Sequence, residues 1–420
     1  MAFTSLKCFP GRITVTISPR TRKLFLTLVL TTVFFIVLNE TIMISEMNYS
    51  SAVYTVSSAT KPSRSYKTIL KGAPVSRKNP KILLYTNFFG EMKWYEESKD
   101  VYTTTCPAGC TLTNDKSQIE TADALVFHLS DIAWQATLSS GLQFPFPKYR
   151  RPDQAWIFYN LEPLTMVWGD MKSWQGLFNW TWSYTRSSDV YSPYGTCRKL
   201  TADEVKENEE NKVFLNYDYF SEKTEEGGIA MISHCTDEAR RYRIIEKLRE
   251  YIPVRVIGRC GEGCPDGYLS CNKQLHKNKF YLAFENSDCY DYVSEKYWRS
   301  LIRKQIPIVA WRLNMDDIVI PGSYINVWDF PDLDAAGRYI QEVNRNKTLY
   351  NSYFQWQFTY KVLGTSGFCD LCHKLQDQTV PRMVYHDMNG WIMNNTCRPV
   401  SLQRYIHRWF DRFTYDFRIH

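Results

Sequence analysis

Phe280-Tyr-Leu-Ala-Phe-Glu-Asn-Ser-Asp-Cys-Tyr-Asp-Tyr-Val-Ser-Glu-Lys-Tyr-Trp-Arg-Ser-Leu-Ile-Arg-Lys-Gln-Ile-Pro-Ile-Val-Ala-Trp311 decides how this chain folds. Apolar residues 280–284 read as a short strand, 291–304 as a helix, and 306–311 as a second apolar strand. That order is a βαβ unit, which places ligands where the first strand ends and the helix begins. Tyr292, Glu295 and Lys296 stand at i, i+3 and i+4, so the spacing predicts that they share one helix face. A ring, a carboxylate and an ammonium together suit the hydroxyls and diphosphate of a nucleotide-sugar. Val293, Tyr297 and Leu301 repeat every four residues on another stripe, which suits packing on the sheet.

Working outward, the pattern of alternating strands and helices continues on both sides. Downstream of residue 226, Gly228-Ile-Ala-Met-Ile-Ser233 and Val254-Arg-Val-Ile-Gly258 read as strands around a helix at 237–251, and Tyr324-Ile-Asn-Val-Trp-Asp-Phe330 reads as a further strand. Upstream, 81–86, 122–129 and 155–160 read as strands. Such alternation predicts an α/β fold with parallel, doubly wound sheets. At 420 residues the chain suggests two domains, 81–225 and 226–375, followed by a C-terminal extension at 376–420. The acidic run Glu204 to Glu210 reads as a solvated surface helix or loop.

Lysine and arginine number 51 against 44 acids, a net +7, and the excess is uneven. Lys7, Arg12, Arg20, Arg22 and Lys23 give residues 1–23 a charge of +5 with no acid, leaving 7 − 5 = +2 for the rest. Nothing in that remainder, neither basic cluster nor stacking motif, marks a nucleic-acid binder. Residues 24–38 carry no charge and only threonines are polar; after the weak interruption of Asn39 and Glu40, apolar character resumes through Ile42, Met43 and Ile44. That span reaches the roughly 20 residues a transmembrane helix needs. With the basic flank in front of it, the arm 1–23 is expected in the cytosol and the body on the far side of the membrane. A cleaved signal peptide is the rival reading, disfavoured by the long arm and by the lack of a clean small-residue cleavage site. Residues 45–80, rich in Ser, Thr, Lys and Pro, read as a flexible stem.

Twelve cysteines on a chain of this topology argue for disulfides. Cys8 lies on the cytosolic arm, so eleven remain and at least one thiol stays unpaired within the chain. Cys106, Cys110, Cys260, Cys264, Cys369 and Cys372 are the disulfide candidates. Cys369-Asp-Leu-Cys372 has the spacing of half a zinc site, but no second Cys/His pair follows at ribbon distance, so a structural disulfide is the better reading. Asn48, Asn179, Asn346 and Asn394 begin Asn-x-Ser/Thr glycosylation acceptors; Asn39 also fits the pattern but sits at the membrane.

Phe284, Glu285, Asn286 and Ser287, followed by Asp291, Tyr292, Val293, Ser294, Glu295 and Lys296, resemble the signature of the α1,3-fucosyltransferases, glycosyltransferase family 10. Cys110-Thr-Leu-Thr-Asn-Asp115, Ala122 to His128 and Phe178 to Gly195 are similar to that family's N-terminal domain. The resemblance covers roughly residues 81–375 and implies a GT-B architecture, two Rossmann-like domains facing a cleft. It implies a Golgi type II membrane enzyme that moves fucose from GDP-fucose to a GlcNAc-containing glycan. Self-association into a homo-oligomer is left open.

The resemblance also implies roles. Asn286, Tyr292 and Glu295 match family positions that contact the donor, and Lys296 is the first candidate to face the diphosphate. Arg241 matches the family's phosphate-binding arginine in the order Ser233, Cys235, Arg241, with Arg240 adjacent. The proposed base of the family is a Glu after an aromatic strand and before a Ser-Pro turn; Glu162 ends Ala155-Trp-Ile-Phe-Tyr-Asn-Leu-Glu162, with Pro163 following directly. No metal is expected to be required, although a divalent cation would stimulate turnover by relieving inhibition by GDP. The one Asp-x-Asp, Asp332-Leu-Asp334, reads as a helix N-cap rather than a metal ligand. Two rival functions remain: a transferase using another nucleotide-sugar, and a glycan-binding protein on an inactive scaffold.

Overall fold

Continuous runs of buried β-branched and aromatic residues build two parallel sheets, because each sheet is covered on both faces. The computed structural model describes residues 66–395, apart from 72–74, 76, 92–94, 97–108, 139–143, 145, 164–173, 212–216, 236–239, 265–267 and 366. The expected cytosolic arm (1–23), membrane span (24–44), most of the stem, Cys106, Asn48 and residues 396–420 lie outside the described residues. Among the described residues, no helix is long and apolar enough to cross a membrane.

In chain order the strands begin with β1 (Lys67–Ile69). β2 (Lys81–Leu84), β3 (Thr111–Thr113), β4 (Ala124–His128), β5 (Ala155–Asn160), β6 (Trp180–Ser183) and β7 (Val190–Tyr191) follow. The latter six form one parallel sheet in the order β3-β2-β4-β5-β6-β7. β8 (Thr196–Lys199) leads out of this lobe. β9 (Glu225–Met231), β10 (Val254–Ile257), β11 (Asn278–Leu282), β12 (Ile306–Val309) and β13 (Ile325–Asn326) form the second parallel sheet, in the order β10-β9-β11-β12-β13. β14 (Tyr360–Leu363) pairs antiparallel with β8, and β15 (Met383–Tyr385) pairs antiparallel with β1.

The helices that matter here are α1 (Leu129–Leu138), α2 (Ala202–Glu210), α3 (Arg241–Leu248), α4 (Glu295–Ile302), α5 (Leu333–Arg345), α6 (Gly367–Gln376) and α7 (Met388–Asn395). Strand alternation sends Ile82 and Leu84 to one face of the first sheet and Leu83 to the other. On the first face Val126 and Ile157 meet Leu371 and Leu375 of α6; on the second, Phe127 and Phe158 meet Tyr385 and the α7 residues Met388 and Trp391. The C-terminal segment, expected as an extension, therefore completes the layer around the first sheet. In the second sheet Phe280, Leu282 and Ile308 pack on Ile244 and Leu248 of α3 and Ile340 of α5. Tyr281 and Val309 pack on Tyr297 and Leu301 of α4. Gly227 permits a shift of register between β9 and β11: its φ is +74°, and a Cβ there would lie 2.1 Å from the Pro253 carbonyl oxygen.

β5 matches the strand expected from sequence; the other expected strands end one to four residues early, and β9 and β11 also begin before their expected starts. The acidic run lies on α2, which buries none of its residues. Asp332 is the N-cap of α5, its side chain accepting from the Ala335 N–H at 2.7 Å, while Asp334 pairs with Lys247 at 2.7 Å. Among the described residues no group of three or more His, Cys, Asp or Glu side chains is placed to hold a metal ion.

Candidate functional site

Counted in chain order, the second sheet runs 2-1-3-4-5, so the strand order reverses between β9 and β11. Ligands of such sheets bind beyond the carboxyl ends of the strands at that reversal. Arg241 follows β9 and opens α3; it is 3% exposed and donates from Nη2 to the His234 carbonyl at 2.7 Å. Its neighbour Arg240 adopts φ +57° as the N-cap, and of the two it is Arg241 that lines the cavity. A disulfide, Cys235–Cys260, ties the loop after β9 to the loop after β10. Phe284, Glu285, Asn286 and Ser287 follow β11. Arg241, Glu285, Ser287, Tyr292, Trp311 and Arg312 line a small cavity at this junction.

The helix after β11 begins at Glu295, four residues later than the sequence pattern suggests. Ser294 is its N-cap, in extended geometry, and Asp291 before it sits at φ +61°, which breaks the helical run. Tyr292 consequently lies on the loop and does not share a helix face with Glu295 and Lys296. It is 2% exposed, with its ring centroid 4.8 Å from Tyr184 and 6.1 Å from Tyr194, both from the first half of the chain. Tyr297 and Leu301 are buried on α4 as their stripe implies; Val293 is buried with them but from the loop before the helix.

Glu285 organises the loop. Its buried carboxylate accepts from the Ser294 N–H at 2.8 Å and the Ser294 hydroxyl at 2.7 Å, and lies 3.4 Å from Lys296 Nζ. Lys296 Nζ also donates to Ser294 Oγ at 3.0 Å and to Glu295 Oε1 at 3.3 Å. Burial disfavours the ammonium, but Glu285 and Glu295 outweigh it and raise the Lys296 pKa. Burial pushes the Glu285 carboxyl above its ordinary range, with Lys296 opposing. For Glu295 burial also acts upward, yet Lys296 and the helix's own first N–H bring the carboxyl below its ordinary range.

Glu162 reaches this network from the first lobe. The turn that carries it is fixed by two bonds to the backbone: Asn160 Nδ2 donates to the Glu162 carbonyl, and Tyr194 donates to the Leu161 carbonyl at 2.7 Å. Burial pushes the Glu162 carboxyl above its ordinary value. Lys296 opposes that shift, Glu295 adds to it, and a hydrogen bond from the Asn286 side chain opposes it. The structure thus brings Glu162, Asn286, Glu295 and Lys296 together, with Arg241 and Tyr292 on the adjoining cavity. Sequence reasoning assigned no role to Glu285 or Arg312. Glu285 stood within the quoted signature; Arg312 could have been found from its place just past the carboxyl end of β12.

The remaining expected sites divide. Asn179 has its amide turned into the fold: Oδ1 accepts from the Trp156 N–H at 2.8 Å and Arg150 Nη2 at 2.7 Å, and Nδ2 donates to the Met383 carbonyl at 2.7 Å. Asn346 stands exposed and caps the following helix through Oδ1, which accepts from the Leu349 N–H at 3.0 Å. Asn394 lies on α7. The disulfides are Cys110–Cys372, Cys235–Cys260 and Cys264–Cys271; Cys289 and Cys369 are also disulfide-bonded. Cys369 and Cys372 therefore do not pair with each other, because Cys372 is taken by Cys110 across 262 residues. Cys235, Cys271 and Cys289 join the candidates named from sequence, and Cys197 is free.

Residues 220–391 match the family model "Glycosyltransferase family 10 (fucosyltransferase) C-term", and residues 77–195 match "Fucosyltransferase, N-terminal". The chain is 32% identical to alpha-(1,3)-fucosyltransferase C of Drosophila melanogaster, over 76% of this chain and 78% of that protein. It is 31% identical to alpha-(1,3)-fucosyltransferase fut-6 of Caenorhabditis elegans, over 79% and 85%. A solved alpha1,3-fucosyltransferase with GDP-fucose aligns over 76% of this chain and 96% of that one, with 17% identity and a TM-score of 0.46, too loose a likeness to carry detail. With relatives above 30% identity that it covers over most of their length, and both family models matched in order, this chain belongs to the α-(1,3)-fucosyltransferases of glycosyltransferase family 10.

Proposed function

We propose that the chain transfers L-fucose from GDP-β-L-fucose to the 3-hydroxyl of a GlcNAc residue in N-glycans or related glycoconjugates, with inversion at the fucosyl carbon. The two parallel sheets act as the two halves of a GT-B transferase, the second holding the donor and the first the acceptor. Lys296 and Arg241 neutralise the diphosphate as it leaves, working as fixed cations where negative charge grows. Glu295, Asn286 and Tyr292 hold the nucleotide-sugar. Glu162 takes the proton from the attacking hydroxyl, and its raised pKa suits a base that must also release that proton. A β-linked donor and an α-linked product require one displacement and one base, so no covalent intermediate is invoked. Fixed cations take the part that a metal ion plays in other transferases. The basic arm and apolar span support a single-pass type II membrane protein with its body in the lumen, and the family resemblance supports the Golgi as its membrane.

The observation that carries this reading is the meeting of Glu162, from the carboxyl end of a first-sheet strand, with Asn286, Glu295 and Lys296 at the carboxyl-end edge of the second sheet. The test is incubation of the full-length enzyme with GDP-fucose or UDP-sugars and a panel of defined N-glycans, with and without EDTA. Fucose incorporation from GDP-fucose alone, persisting in chelator, is expected. Use of a UDP-sugar would reassign the donor. Glycan binding without turnover would mark an inactive scaffold, and loss in EDTA restored by manganese would overturn the metal-free mechanism.

A further inference from the structure

Asp291 belongs to the signature run but takes no part in the chemistry above, and its contacts run to the other lobe. Its Oδ2 accepts from the Arg186 backbone N–H at 2.8 Å and from the Thr185 hydroxyl at 3.2 Å; its Oδ1 accepts from Arg186 Nε at 3.0 Å. The carboxylate is 13% exposed, and Thr185 is buried. Asp291 holds φ +61°, a conformation that costs a non-glycine residue on the order of 1 kcal/mol and persists where surrounding contacts impose it. Next to it the Tyr184 and Tyr292 rings meet at 4.8 Å. Residues 184–186 of the first lobe thus grip residues 291–292 of the second.

The register of the first sheet shows what this grip fixes. Asn160, the last residue of β5, pairs with Ser183, the last residue of β6. Glu162 and Thr185 each lie two residues beyond that pair, just past the carboxyl ends of neighbouring strands, which are spaced about 4.8 Å apart. On the other side of the contact, Asp288 and Cys289 line the cavity just before Asp291, and Ser294 caps the helix carrying Glu295 and Lys296 just after it. One carboxylate therefore links the edge that carries the base to the loop that carries the donor contacts.

We propose that Asp291 is a positioning residue: its clasp on Thr185 and Arg186 sets the register between Glu162 and the donor. This rests on the fucosyl-transfer reading above. Displacing reacting groups by about 1 Å can cost on the order of 100-fold in rate while leaving binding intact. Loss of the clasp should therefore hurt transfer, which needs both lobes, and spare donor binding, which needs one.

The test uses the full-length enzyme and three variants: Asp291→Asn, Arg186→Ala and Asp317→Asn. Asp317 is a control, an 82%-exposed partner of the same arginine at 3.4 Å. For each, kcat for transfer, hydrolysis of GDP-fucose without acceptor, GDP affinity and melting temperature are measured. We expect Asp291→Asn to lower transfer by about tenfold or more, with hydrolysis and GDP affinity near wild type, so that the hydrolysis-to-transfer ratio rises. Arg186→Ala should move the ratio the same way by less, and Asp317→Asn should leave it unchanged. An unchanged ratio in Asp291→Asn, or a proportional loss of GDP binding and transfer, would overturn the proposal. Should Asp291→Asn fail to fold, Arg186→Ala decides on the same criterion, because its side chain is half exposed. A wild-type enzyme inactive with GDP-fucose would instead sink the function reading itself.

Discussion

The two lobes contribute to the cleft in unlike ways. The second supplies Glu285, Ser294, Glu295 and Lys296, which bond to one another within twelve residues of chain, giving a charge network that is wired before any ligand arrives. The first supplies one carboxylate, Glu162, on a turn held through its backbone, with its side chain met chiefly by groups of the opposite lobe. A prewired cation site suits a diphosphate that must be held through departure. A carboxylate with few bonds of its own suits a group that must gain a proton and lose it again.

The largest expected effect tests that division most directly. Glu162→Gln keeps shape but cannot accept a proton, so kcat should fall about 100-fold or more while calorimetry shows GDP binding near the parent's. If the variant instead loses GDP binding, the two lobes' roles are exchanged. Next, Lys296→Ala removes a charge-assisted contact worth roughly 1.5–3 kcal/mol and leaves Glu285 buried without its cation. The efficiency with GDP-fucose should drop roughly 10- to 100-fold, with GDP affinity falling too; unaltered GDP affinity would break the assignment of Lys296 to the donor side.

A smaller effect sharpens the contrast through pH. With Glu162 as the proposed base, transfer would need its ionised form, whose pKa is raised by burial and held down by Lys296. The acid limb of kcat should therefore lie above the ordinary glutamate range and move to higher pH in Lys296→Ala. A limb that stays in place would show that Lys296 does not face the base. The sign for stability follows. A carboxyl raised on folding contributes stability below its unfolded pKa and loses it as pH rises through the folded value. Near neutral pH, Glu162→Gln should consequently melt at or slightly above the parent. Lower melting would mean that the ionised form is favourably paired.

The smallest effect concerns the surface. Expressed in cells, Asn346→Gln should remove one glycan's mobility shift with activity retained, since Asn346 is exposed. Asn179→Gln should change no shift, because its amide is spent on Met383, Trp156 and Arg150. A glycan lost on Asn179→Gln would contradict that internal bonding.

The same contrast explains what the sequence disclosed. β5 was legible to the residue because all six of its positions are buried and apolar or aromatic up to Asn160. In the second lobe the Glu295–Lys296 pair was legible because the two adjoin in sequence, whereas Glu285, which reaches Lys296 from eleven positions earlier, was not. The start of α4 was not: Asp291 looks like a good first-turn residue, but Arg186 and Thr185, more than a hundred positions earlier, claim its side chain. Asn179 likewise carries a complete sequon, and only its partners at Trp156, Arg150 and Met383 show where the amide points. The cysteines gave an odd count and hence a free thiol, but not that Cys372 reaches Cys110. Local pattern decides elements; distant partners decide their ends and their bonds.

The return of α6, β15 and α7 to the first sheet has a consequence for how the molecule is made. Both faces of that sheet are finished by residues near the end of the described chain: Leu371, Cys372 and Leu375 on one, Tyr385, Met388 and Trp391 on the other. During translation the second lobe has all its strands before these residues leave the ribosome. At about 5–20 residues per second, the first sheet waits on the order of ten seconds with aromatic faces uncovered, and Cys110 waits as a thiol for Cys372. The nascent first lobe is therefore the part with apolar surface longest uncovered, and a late stop codon that spares every residue of the proposed site would still leave that lobe unable to close.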